Sequence, residues 1–206
     1  NTKKFSFGTD YIFTNYKNYQ FNENKFQNEF RLYIDYRLSQ RLSMNIRTSK
    51  ENINDDVGYL MKSNGLIYFG IRQIKAIENN LRMKYNFNRD TSLSLRFRNF
   101  WSVANYKEKL FELLNNGTRK EVDYSIINKN PNTNFNIWDL DLNFEWWFAP
   151  GSNMVLLYRN QIFNRDNQSG ISYYSSLNNL FETPTEHQLS LRLNYLIDYN
   201  VLKKKK

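Results

Sequence analysis

From Trp138 to Phe148 every even position is large and apolar (Trp138, Leu140, Leu142, Phe144, Trp146, Phe148), while Asp139, Asp141, Asn143 and Glu145 stand between them. A repeat of two sends the two sets to opposite sides of an extended chain, because successive Cβ atoms of a strand point to opposite faces. Pro150 and Gly151 follow, a fixed φ and then a residue free to take φ > 0, which reverses the chain. The stretch therefore predicts a strand with two chemically different faces and a tight turn below it. A connection of two residues would align Val155 and Leu157 with the apolar row, and one of three would align Met154, Leu156 and Tyr158. The second is expected, since it leaves Arg159 and Gln161 with the polar row.

The pattern recurs along the chain. Phe5, Phe7, Tyr11 and Phe13 alternate with Ser6, Gly8 and Asp10; Phe30, Leu32, Ile34 and Tyr36 with Glu29, Arg31, Asp35 and Arg37; Leu42, Met44 and Ile46 with Ser43, Asn45 and Arg47. Later, Leu81, Met83, Tyr85 and Phe87 alternate with Arg82, Lys84 and Asn86; Leu93, Leu95 and Phe97 with Ser94, Arg96 and Arg98; Leu189, Leu191, Leu193, Tyr195, Ile197 and Tyr199 with Ser190, Arg192 and Asn194. This predicts an all-β chain with about eight antiparallel, up-and-down strands, near 3–14, 25–38, 41–48, 73–88, 91–105, 133–148, 152–163 and 186–200, and a basic tail at 201–206. Tight turns are expected at Ser39, Asp90 and Pro150, and long polar loops near Lys17, Asp55 (residues 49–71), Asn116 (106–133) and Asp166 (164–183).

Strands of about ten residues are long enough to cross a bilayer when tilted, and alternation of short turns with long loops is how an outer-membrane barrel joins its strands. A soluble barrel or sandwich gives the same period with the apolar face turned inward. Three features favour the membrane. The apolar face is bulky where a small core would need small residues to interdigitate; of 206 residues, 16 are Phe, 15 Tyr and 4 Trp. Aromatic residues collect at strand ends, where interfacial girdles sit: Trp101 and Trp138 towards the long loops, Trp146, Trp147, Phe148, Tyr195 and Tyr199 towards the short turns. The polar face carries Arg82, Lys84, Arg96 and Arg98 on two strands and Asp139, Asp141 and Glu145 on the next, with Arg192 on the last; inside a lumen such charges neutralise one another and hold the register. Asp141 is expected to pair with Arg98.

A mean hydropathy of −0.75 leaves no run suited to a membrane helix. The absence of cysteine excludes a disulfide framework and a cysteine zinc site. The net charge of +9 would suit nucleic acid, but the only basic run, Lys203 to Lys206, falls on the short-turn side, where a solvated tail or contact with anionic headgroups is simpler. No signal peptide is visible at Asn1, and the abrupt opening reads as a processed or partial chain.

The runs Arg98-Asn99-Phe100-Trp101-Ser102-Val103, Trp147-Phe148-Ala149-Pro150-Gly151-Ser152 and Leu189-Ser190-Leu191-Arg192-Leu193-Asn194-Tyr195-Leu196-Ile197-Asp198-Tyr199, with Asp55-Asp56-Val57-Gly58-Tyr59 and Ile67-Tyr68-Phe69-Gly70, resemble the end of a family of large Bacteroidota proteins. Those proteins have an N-terminal domain similar to carbohydrate-binding module family 9 and a C-terminal region of unknown function that looks like an outer-membrane barrel. The resemblance implies that this chain is the C-terminal part of a larger barrel, and it brings no catalytic motif.

Single residues have plainer readings. His187, the one histidine, lacks convergent ligands and reads as a loop-edge residue, not a metal site. Asp139, Asp141 and Glu145 could suggest paired carboxylates for hydrolysis or a calcium site, but alternate residues on one face also line a lumen, with Arg96 and Arg98 at hand. No catalytic constellation, metal site or cofactor is expected. The expected protein is a pore or scaffold of the bacterial outer membrane with its C-terminus in the periplasm, in contact with lipid or lipopolysaccharide, with other outer-membrane proteins or a glycan as further partners, and no nucleic acid. A soluble carbohydrate-binding β-protein and a membrane-embedded hydrolase are the alternatives.

Overall fold

A computed structural model describes residues 4–21 and 23–197. Tyr199 and the basic tail lie outside the described residues. The chain forms one antiparallel sheet from strands β1 (Phe5–Asn18), β2 (Glu23–Arg37), β3 (Leu42–Ser63), β4 (Leu66–Asn86), β5 (Thr91–Leu113), β6 (Arg119–Val122), β7 (Thr133–Ala149), β8 (Ser152–Asp166) and β9 (Thr185–Asn194), with a nine-residue helix α1 (Tyr173–Phe181) before the last strand. The spatial order follows the sequence, β1-β2-β3-β4-β5-β7-β8-β9, and the short β6 pairs with the far end of β5. Among the described residues β1 pairs only with β2 and β9 only with β8, so the sheet is open at both edges.

The expected two-faced strands are present, and the ladder registers join their faces into continuous surfaces. Phe7, Ile34, Ile46, Leu81, Phe97 and Leu140 are successive cross-strand partners, and so are Tyr36, Met44, Met83, Leu95, Leu142, Tyr158 and Leu189. On the reverse face at the same height run Asp35, Asn45, Arg82, Arg96, Asp141, Arg159 and Gln188. The Pro150 turn resolves the register: Met154, Leu156 and Tyr158 oppose Trp146, Phe144 and Leu142. A connection of only Pro150 and Gly151 achieves this because Phe148 is taken up as a bulge between the paired Trp147 and Ala149. Gly151 has φ +73, and a Cβ there would lie 2.6 Å from Leu196 Cδ2, so both backbone and space call for glycine.

Three of the four long loops differ from the expected chain, and the fourth is not a plain loop. Residues 49–71 are not a loop: β3 and β4 run on and are joined at Asn64-Gly65, both with positive φ, the geometry of a type I′ hairpin turn. The alternation fails there because β3 carries irregularities between Ile53 and Asp56 and between Tyr59 and Met61, each of which resets the parity. Near Lys17 the loop shortens to the connection between Asn18, the end of β1, and Glu23, the start of β2. In the third, β5 continues to Leu113 and returns through β6, so only residues 123–132 wander, with a single 3-10 turn at Tyr124–Ile126. The fourth, 164–183, contains α1, whose start is capped by the Ser172 hydroxyl accepting from the Ser175 amide.

Candidate functional site

Among the described residues no second layer covers most of the apolar face. Phe5, Phe7, Tyr11, Phe13, Leu189, Leu191 and Leu193 are all more than half exposed, and Tyr36, Tyr85, Trp146 and Leu156 are exposed as well. Buried residues gather elsewhere, under α1 and in the far hairpins, where Leu110 is fully enclosed. The far hairpins are tied by Arg119, whose guanidinium lies 3.8 Å from the Phe21 ring and 2.9 Å from Glu23.

The opposite face is polar and laced across strands. Arg47 bonds Asp35 at 2.9 Å, Arg98 bonds Glu78 at 2.9 Å, Arg159 bonds Asp141 at 2.7 Å, and Gln161 donates to Asp139 at 2.7 Å. The register places Arg82, Lys84, Arg96, Arg98, Asp139, Asp141, Glu145 and Arg192 together on this face. The expected pair of Asp141 with Arg98 is not formed. Arg98 stands opposite Asp139 and turns to Glu78 on β4, and Asp141 takes Arg159, directly opposite on β8. Exchanging the charges of Asp141 and Arg159 is therefore expected to recover most of the unfolding midpoint lost in either single reversal, whereas the exchange of Asp141 with Arg98 recovers none. Urea unfolding in detergent measures both.

Aromatic residues expected as a girdle divide into two groups. Trp146 and Trp147 are exposed near the short turns, and Phe148 stacks on Tyr195 with ring centroids 6.3 Å apart. Trp147, however, is on the polar-face register and donates to Glu145 at 3.1 Å. Trp101 is buried and not exposed at a strand end: it is 5% exposed, and its indole donates to Asn134 Oδ1 at 3.0 Å. Trp138 is wedged between Phe97 and Phe181.

Above Trp138 the two faces exchange character. The formerly apolar side carries Asn79, Asn99, Asn134 and Asn136, while Phe100, Phe135 and Phe163 cluster on the other. Helix α1 caps the asparagines. Ser176 bridges Asn134 and Asn136 at 3.1 Å each, and Tyr173 donates to Asn99 at 2.8 Å while accepting from Asn79 at 3.1 Å. Burial pushes the Tyr173 hydroxyl above its usual pKa, against the hydrogen bond from Asn79, so it stays protonated and available to donate. The sequence reading missed this network, although Asn134 and Asn136 continue the even row of Trp138 and mark where the apolar band stops.

Among the described residues no three His, Asp or Glu side chains converge as metal ligands. His187 lies on β9, with its Nδ1 2.9 Å from the Tyr158 hydroxyl. Among the described residues no helix is long and apolar enough to cross a membrane, which says nothing about strands that cross.

The family model described as "Domain of unknown function (DUF5916)" matches residues 1–206. The chain belongs to the DUF5916 family. No curated protein and no solved structure matches it. In this DUF5916 chain the exposed apolar face and the charged face behind it are the features that bear on function.

Proposed function

We propose that the chain is part of the wall of a bacterial outer-membrane β-barrel, acting as a pore or membrane scaffold. The observation that carries this reading is the uncovered apolar band running from Phe5 to Leu189 across the sheet, backed at the same height by a charged band. Such a sheet in water would expose far more contiguous apolar surface than a soluble monomer tolerates. Against lipid the same pattern is stable, with apolar residues outward and polar ones towards the lumen. Trp138 to Trp146 spans about 26 Å along the strand at ~3.3 Å per residue; with the strand tilt of about 35–45° this stands roughly 20 Å tall, and the girdle residues at its lower edge bring it close to an apolar band ~25 Å tall.

In this arrangement lipid or lipopolysaccharide contacts the band, and the open edges at β1 and β9 receive further strands of a larger barrel. The Ser39, Asp90 and Pro150 turns and the C-terminus face the periplasm, and the long hairpins β3–β4 and β5–β6 stand outside. The resemblance to Bacteroidota proteins with a family 9-like carbohydrate-binding module supports a link to carbohydrate binding or uptake through an N-terminal domain, and contact with other outer-membrane proteins. The hydrolase alternative needs unpaired carboxylates on the polar face, whereas Asp141 is held by Arg159. Extraction tests the reading: the protein is expected to leave the membrane fraction only with detergent. A monomer recovered without detergent would exclude it, and glycan binding by that monomer would favour a soluble carbohydrate-binding protein.

A further inference from the structure

The charged face is not evenly balanced. Arg82 of β4 and Arg96 of β5 are direct cross-strand partners, a position in which side chains have Cβ atoms roughly 4.5–5.5 Å apart and like charges destabilise the sheet. The carboxylates nearest in the ladder are already committed: Asp35 to Arg47 and Asn45, Glu78 to Arg98, and Asp141 to Arg159. Among the described residues neither Arg82 nor Arg96 has a carboxylate oxygen within 4.0 Å, and neither does Lys84, two residues along β4 on the same face.

The two arginines border a depression of about 430 Å³ that Arg47, Arg98, Asn45 and Asn80 help to line. Four arginines and one glutamate, Glu78, surround it. Two guanidinium groups side by side present paired N–H donors that match the oxygens of a tetrahedral oxyanion, and guanidinium is the side chain suited to bidentate contact of this kind.

We propose that this depression binds a multiply charged oxyanion of the phosphate class, held between Arg82 and Arg96, with Lys84, two residues along β4 on the same face, adding positive charge beyond its lining. The anion relieves the repulsion of the opposed arginines, and its site is the part of the polar wall where substrate charge would be selected. The assignment to a lumen rests on the barrel reading; the binding of the anion rests on the arginines alone.

The test is calorimetric titration of the detergent-solubilised protein with inorganic phosphate, on the wild type and on Arg82→Gln, Arg96→Gln and Arg89→Gln. Arg89 lies in the exposed β4–β5 turn beside Asp90 and removes the same charge away from the depression. Saturable binding in the wild type, weakened roughly tenfold or more by Arg82→Gln and by Arg96→Gln and unchanged by Arg89→Gln, is the expected result. No saturable binding, or equal weakening by all three substitutions, overturns the site. Circular dichroism on each variant shows that the sheet is retained. Arg82→Lys and Arg96→Lys, which keep the charge and lose the paired donors, should weaken binding by less than the Gln variants. Membrane extraction, measured separately, reports on the barrel reading whichever way the titration falls.

Discussion

Arginine in place of Leu142 is expected to destabilise the reconstituted protein by about 2–4 kcal/mol, the cost of a charge at the lipid-facing midplane of a barrel. Leu142 stands between Leu95 and Tyr158 at the middle of the row that runs from Trp138 to Trp146. The same change at Asn143, one residue along on the polar face between Ser94 and Leu157, is expected to stay within about 0.5 kcal/mol, as for a solvated site. Depth supplies a second check. Arginine at Thr91 or Met154, at the lower edge of the band beside Trp146, should cost only about 0–1 kcal/mol. Urea titration in lipid vesicles measures the series. A buried core in water would penalise the row according to its packing and not according to its distance from the centre.

The second large effect is predicted for Asn134→Leu. The Asn134 side chain is fully buried; its Oδ1 accepts from Trp101 and Ser176, and its Nδ2 donates to Asp166. Leucine is close to it in size but leaves the indole N–H and the Ser176 hydroxyl under α1 without that acceptor. Each buried group left unsatisfied costs about 1–3 kcal/mol. The helix, and not the sheet, should take the loss, because α1 is tied to the sheet chiefly by these polar contacts, by Leu180 and by Phe181 against Trp138. Limited proteolysis is expected to cut within residues 167–184 in the variant and to spare them in the wild type. Loss of the β7–β8 ladder itself would show that the network holds the strands and not the helix.

The faces of β7 between Trp138 and Trp146 and of β9 from Leu189 to Leu193 could be read directly from residue types, since each keeps its period of two there, whereas Met154-Val155-Leu156-Leu157-Tyr158 of β8 is apolar on both faces and only Arg159 and Gln161 decide its register. The far half of β3 and β4 could not. There the irregularities after Ile53 and after Tyr59 shift the parity, so that apolar residues no longer fall on one set of positions, and the segment imitates a polar loop. One local signal survived: Asn64-Gly65 is a strong hairpin turn in its own right and would have joined β3 to β4. Helix α1 left a fainter trace. Nine residues give barely two turns of pattern, and its partners are asparagines that come together from three strands, β4, β5 and β7. Trp101 shows the same limit, since a tryptophan near a strand end looks alike in sequence whether it meets headgroups or a buried asparagine. On the polar face, charge types were legible but pairings were not: Arg98 could reach either Glu78 or Asp139, and only side-chain geometry decides between them.

The claim that the apolar face meets lipid is tested most directly by spin labels placed one at a time from Asp139 to Glu145 in the reconstituted protein. The account predicts that labels at 140, 142 and 144 collide with oxygen dissolved in the bilayer, while labels at 139, 141, 143 and 145 collide with a water-soluble nickel complex, in strict alternation. Even positions shielded from both reagents, with odd positions open to bulk water, would contradict it and place the row in the core of a soluble protein.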